Sequence, residues 1–237
     1  MIGRWIANRR RRRWLAERVP RDYRDWLAGD APFFHRLAGR EQDELIDLAR
    51  AFIREKSWDP REGFELTERV KLTIAAQACL LLLHLPGHNY FANVERIVIF
   101  PATYGIPIRN GMLMTEAPVH GQANYRGPVV LAWASVTGGA MNPDDGHNVV
   151  FHEFAHKLDM LNGWIDGTPR LTDRAMFDRW VAIMTESYQG LREAAMARHR
   201  SVMDSYGATN PAEFFAVATE TFFEKPDTMK RDLPELY

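Results

Sequence analysis

The chain of 237 residues has one cysteine, Cys79, so it can neither staple itself with an internal disulfide nor build a cysteine cage for zinc. That scarcity fits a reducing, cytoplasmic setting and leaves imidazole and carboxylate as the available metal ligands. An excess of one charge is missing as well. Thirty basic residues face 31 acidic ones, a formal net charge of -1, which gives no overall field to select nucleic acid or an anionic membrane. Long hydrophobic runs are absent. The most apolar stretch, Leu72 to Leu85, is interrupted by Thr73, Gln77 and His84 and falls short of the roughly 20 residues a bilayer span needs, so a buried helix is expected there. Repeats, low-complexity tracts and linker-like composition breaks are lacking too, which predicts one α+β domain over residues 1–237. Five consecutive arginines, Arg9 to Arg13, open the chain without an apolar core or cleavage site behind them. Residues 1–20 therefore read as a solvated, partly frayed basic segment, with no export and no direct nucleic-acid contact expected.

What is present falls into three stretches. Leu45, Leu48, Ala49, Phe52 and Ile53 recur with helical spacing between Arg40 and Lys56, and Trp58-Asp59-Pro60 reads as the stop. Thr67 is the candidate N-cap of the next helix, which Leu85-Pro86-Gly87 closes. The composition then turns β-branched in Val94 to Phe100 and Gly127 to Trp133, two expected strands of a small mixed sheet. Pro101 to Arg126 and Thr137 to His147, rich in Gly, Pro and Asn, read as long loops. Helical spacing returns after Asn148 and runs through Leu161 to a Gly163 stop. A further helix capped by Thr172 is expected to extend toward Met203, and a last one opens at Asn210-Pro211.

The chemistry concentrates in His152-Glu153-Phe154-Ala155-His156, an HExxH motif. Residues four apart on a helix lie about 40° apart around its axis, so both imidazoles leave one face and can grip a single ion. Phe151, Phe154, Ala155 and Leu158 occupy the other side and would anchor that helix in the core. Zinc suits such a site because three protein ligands leave a position for water, whose pKa the ion lowers to about 7. Glu153 is then the candidate base. Asp159 shares the histidine face and reads equally as an orienting partner for an imidazole or as a surface aspartate.

A third ligand must come from elsewhere. Asn162 stands where the long metzincin pattern would have its ligand, which excludes that class. The last helix offers Glu213 and Glu220, seven residues apart on one face of a Phe- and Ala-rich segment where a carboxylate needs a partner or a metal. Spacing alone leaves the choice between them open, because Glu213 also suits a capping box behind Asn210 and Pro211. Tyr206, just upstream, could bring a hydroxyl over the site or serve only in packing. His120 and His147 lie in the flanking loops and could touch substrate.

The segments RGPVVLAW, NVVFHEFAHKLDMLNG and SYGATNPAEFFAVATETFFE resemble the Mlc titration factor A family of glucose-regulated metallopeptidases, as does the upstream LTERVKLTIAAQACLLLL. The SYG…AEFF segment is also similar to the catalytic domain of anthrax lethal factor. The resemblance spans about Leu66 to Glu224 and implies a zincin-like fold in which Zn2+ is bound by His152, His156 and Glu213, with Glu153 activating water and Tyr206 as a further catalytic residue. Lethal factor has an acidic residue four after its ligand glutamate; this chain has Val217, so that supporting function is either absent or transferred to Glu220. The resemblance further implies a cytoplasmic aminopeptidase acting on peptides that also binds an Mlc-type transcriptional repressor of glucose uptake. The strand Gly127 to Trp133 is expected to pair with an extended substrate. The alternative is a regulatory binding protein that sequesters a transcription factor without catalysis.

Overall fold

Helix packing in the first third follows from two apolar surfaces. The structure, a computed structural model, describes the backbone of all residues except 1, 86, 87, 103, 111, 112, 120, 124–126 and 172, and the side chains of the remainder outside 2–8, 104–110, 113–119 and 121–123. Helices α1 (Ile2–Leu15) and α2 (Asp22–Asp30) precede α3 (Gly39–Glu55), whose stripe of Leu45, Leu48, Ala49, Phe52 and Ile53 is buried against α4 (Glu68–Leu80). Thr67 caps α4 as expected, its hydroxyl accepting from the Val70 N–H at 3.2 Å. From Leu72 to Leu80 every α4 residue is buried, Cys79 included, and burial holds its thiol protonated. Among the described residues no helix is long and apolar enough to cross a membrane.

Within the basic segment Ile2–Leu15 form α1, and the Arg11 guanidinium makes two hydrogen bonds to Glu55 at 2.6 and 2.9 Å while stacking 3.8 Å over Tyr90. Buried Arg50 adds bonds to the Trp14 and Glu17 carbonyls, tying the end of α1 to α3.

The sheet has four strands in the order β1 (Ser57–Pro60), β2 (Arg96–Phe100), β6 (Val129–Ala132) and β5 (Gly121–Ala123), the first three parallel and β5 antiparallel. The Trp58-Asp59-Pro60 stop is thus itself a strand, tolerable for proline at a sheet edge. Strand β6 lies inside the sheet with β5 as its outer neighbour, so the expected pairing of Gly127 to Trp133 with substrate is excluded. The loop read between Pro101 and Arg126 instead contains the hairpin β3 (Tyr104–Asn110) and β4 (Leu113–Val119), followed by β5.

Helix α5 (Trp133–Met141) takes up the start of the second expected loop, and α6 (Val149–Asp159) carries the HExxH sequence. Helices α7 (Arg174–Met196), α8 (Pro211–Glu224) and α9 (Pro226–Asp232) complete the chain. The cap of α7 is Asp173, whose carboxylate accepts from Met176; Thr172 lies outside the described residues. Helix α7 ends at Met196, short of Met203. Phe154 fixes α6 to the N-terminal core through ring contacts with Phe52 and Phe91, centroids 5.6 and 4.8 Å away.

Candidate metal centre

Asn148 starts α6. Its side-chain oxygen accepts from the Val150 and Phe151 amides, both at 3.1 Å, and its own amide donates to Gln77 on α4. One helical turn later His152 and His156 leave the same face, ring centroids 4.9 Å apart. Helix α8 packs against this face. Asn210 caps it through the Glu213 N–H at 3.0 Å, which places Glu213 in the first turn, and its carboxylate meets the imidazoles. Oε2 of Glu213 lies 3.0 Å from Nε2 of His152 and 3.4 Å from Nε2 of His156, with all three ligand atoms within 4.8 Å of one another. Donors about 2.0–2.1 Å from a tetrahedral ion stand about 3.3–3.4 Å apart, so the cluster fits one divalent ion.

Glu220, the other candidate, stands behind the histidine. Its Oε1 is 2.5 Å from Nδ1 of His152 and its Oε2 accepts the Asn148 N–H at 2.8 Å. Nε2 of His152 is thereby the nitrogen left facing Glu213. Asp159 does not orient an imidazole. Its Oδ2 accepts the Gly167 N–H at 3.0 Å, and Nδ1 of His156 is buried without a hydrogen-bond partner among the described residues.

Charges reinforce this arrangement. Burial disfavours the His152 cation, yet Glu213 and Glu220 outweigh it and push the imidazole up to about 10. Burial would likewise raise Glu213, but the hydrogen bonds from both histidines bring it down to about 2. Glu153, 6% exposed, is pushed by burial up to about 7, with the imidazoles pulling it down and Glu213 and Glu220 pushing it up. A carboxyl near neutrality beside the histidines can take and return a proton. The Tyr206 ring lies 5.9 Å from that of His152 on a short 3-10 turn, Ser205–Ala208. Burial and the carboxylates of Glu213 and Glu153 raise its hydroxyl, which stays protonated as a donor.

Glycine makes the turn possible. A Cβ on Gly207 would meet Leu191 at 3.0 Å and Val217 at 3.2 Å, so the turn packs tightly against α7 and α8. His147 lies close to this turn, 3.7 Å from Asp204, whereas His120 is outside the described residues. Sequence reasoning passed over Lys157, wholly buried on α6, whose ammonium donates to the Gly127 carbonyl at 3.1 Å and ties the helix to the lead-in of β6. Its i, i+4 spacing from Glu153 was the available signal. A larger cavity, about 480 Å3, lies on the opposite face of α8 among Trp180, Met184, Phe215 and Phe222. Its lining is mostly apolar, and none of His152, His156, Glu213 or Glu220 lines it.

An uncharacterized protein of Synechocystis sp. is 36% identical over 225 residues, covering 92% of this chain and 82% of its own length. Mlc titration factor A of Escherichia fergusonii is 31% identical over 236 residues, 94% of this chain and 87% of that protein. The Salmonella arizonae protein of the same name is 30% identical over 235 residues, 94% and 92% of the two chains. The model of the glucose-regulated metallo-peptidase M90 matches residues 5–237, and the chain belongs to that family.

Proposed function

We propose that this chain is a zincin-like, zinc-dependent peptidase acting as an aminopeptidase in the cytoplasm, with His152, His156 and Glu213 as metal ligands. The observation that carries the reading is the convergence of those three groups beside a buried carboxyl, Glu153. Zinc, when bound, supplies Lewis-acid polarisation and an acidified water. Glu153 takes the proton of the attacking water and passes it to the leaving amine, a transfer that suits a group held near 7. Tyr206 donates its hydroxyl to the developing oxyanion. Glu220 holds His152 in one tautomer and orientation. An extended peptide adds to β5, an outer strand of the sheet, by main-chain hydrogen bonds.

The test is metal analysis joined to a peptide-cleavage screen with and without chelator. Glu153→Gln is expected to retain one zinc equivalent and to lose roughly 10²–10⁴-fold in kcat. Cleavage by that variant at the parental rate overturns the mechanism.

A second reading rests on the name of the relatives, which says of them that they titrate Mlc. In it this chain binds an Mlc-type transcriptional repressor, and the metal centre only holds the fold. Repressor binding undiminished in Glu153→Gln makes the two activities separable; binding lost with catalysis ties them together.

A further inference from the structure

Beside the catalytic turn opens a second cavity of about 300 Å3, walled by Gly146 and His147 before α6, Lys225 at the end of α8, and His199 to Ser205 after α7. Ser205 lines it, and the next residue is Tyr206, whose ring reaches His152. A peptide held at the metal centre therefore has this cavity as its neighbour.

The lining holds one ammonium and one carboxylate. Lys225 makes no ion pair among the described residues, and a Cβ on Gly146 would stand 2.9 Å from its ammonium, so the cation lies over that glycine, whose φ is +78°. Asp204 is the one carboxylate in the wall among the described residues, and it is engaged. Its Oδ1 accepts the Tyr206 N–H at 2.6 Å and its Oδ2 faces Nε2 of His147 at 3.7 Å. Glu224, next to Lys225, is buried and adds little negative charge near neutral pH. Arg198 and Arg200 flank His199, exposed and without ion pairs among the described residues. His147, His199, Ser201 and Ser205 line the same cavity as Lys225 and bring hydrogen-bonding groups to it. An ammonium that makes no ion pair among the described residues, in a cavity lined by such groups, matches an anion of carboxylate size.

We propose that this cavity binds a carboxylate of the peptide substrate, with Lys225 as the charge that selects it. The proposal rests on the peptidase reading above. The carboxylate comes either from an Asp or Glu side chain or from the C-terminus of a short peptide.

The experiment uses the full chain loaded with zinc and a set of short peptides. Amidated peptides carry Glu, Gln or Lys at each position in turn, and a neutral peptide is supplied with a free or an amidated C-terminus. Expected is a kcat/KM at least ~10-fold higher for one carboxylate peptide than for its amide counterpart, the responding peptide identifying the source. The ratio collapses in Lys225→Met, is kept in Lys225→Arg, and turns in favour of Lys peptides in Lys225→Glu. Equilibrium binding of the same peptides to Glu153→Gln, with and without each Lys225 change, reads the selectivity without turnover. Equal rates for acid and amide peptides, or a preference that survives Lys225→Met, overturn the proposal while leaving the peptidase intact. Lys225-dependent binding of carboxylate peptides with no cleavage of any peptide sustains the cavity and removes the peptidase.

Discussion

Glu220 divides its carboxylate between two partners, Nδ1 of His152 at 2.5 Å and the Asn148 amide at 2.8 Å. One side chain on α8 thus holds both the N-cap of the active-site helix and the first imidazole on it. Since Asn148 also bonds Gln77, a buried polar chain runs from α4 through α6 to α8.

That chain sets the first prediction. Glu220→Gln removes the charge behind His152 but keeps the side-chain shape, so zinc affinity is expected to fall roughly 10–100-fold, the range found for such outer partners. Glu213→Gln, which removes a direct ligand, is expected to fall further. Competition with a chromophoric chelator ranks the two, and the opposite order would make Glu220 the ligand.

Tyr206 is the test of the oxyanion role. Its ring packs near His152, and its hydroxyl stays protonated as a donor. Tyr206→Phe keeps the ring, and kcat is expected to fall by about 10²-fold with KM little changed, as for loss of one oxyanion donor. An unchanged kcat would leave the tyrosine as packing alone.

The sequence showed most clearly what is local. Two histidines at i and i+4 and a Phe face are spaced within one helix, and they lie on the faces that spacing predicts. Choosing Glu213 over Glu220 required the resemblance, because a seven-residue spacing fixes a face and not which turn of α8 lies opposite His152. Distant partners were hidden. Arg11 looked solvated since Glu55 lies 44 residues away, and Pro60 looked like a stop since its strand exists only through pairing with β2. The Gly-, Pro- and Asn-rich tract at Pro101 to Arg126 read as a loop, yet cross-strand pairing overrides that composition in β3, β4 and β5.

Glu224 gives stability a pH dependence away from the ligands. Both its carboxyl oxygens are buried without an aligned donor, and the nearby Asn148 and Gly146 offset only part of that cost. Burial, with the Asp145 and Glu220 charges adding to it, pushes the group up to about 8 from an ordinary 4.5. Between those values the folded chain keeps a proton the unfolded chain has lost, so stability is highest below about pH 4.5 and falls as pH rises toward 8. Glu224→Gln removes this dependence. It is expected to stabilise the protein by on the order of 1–3 kcal/mol at pH 7.5 and by little at pH 5. Thermal melts of both proteins at the two pH values check the sign; a larger gain at pH 5 would refute it.

Gly167 joins the loop after α6 to the start of α8, and its replacement tests whether that loop positions Glu213. Its φ is +78°, its amide donates to Asp159 and its carbonyl accepts from the Trp180 indole at 3.3 Å. A Cβ there would lie 2.3 Å from the Pro211 carbonyl oxygen, which is backbone and cannot rotate away. Alanine must therefore adopt a left-handed conformation and also push the first turn of α8, which carries Glu213 two residues further on. The strain alone costs about 1–3 kcal/mol, roughly 2–12 °C in Tm for a chain of this size. Displacement of Glu213 adds a loss of zinc affinity that a remote surface change of equal Tm cost would not produce. Calorimetry paired with the chelator titration separates the two effects: a lowered Tm with parental zinc affinity would show that the loop supports the fold without positioning the ligand.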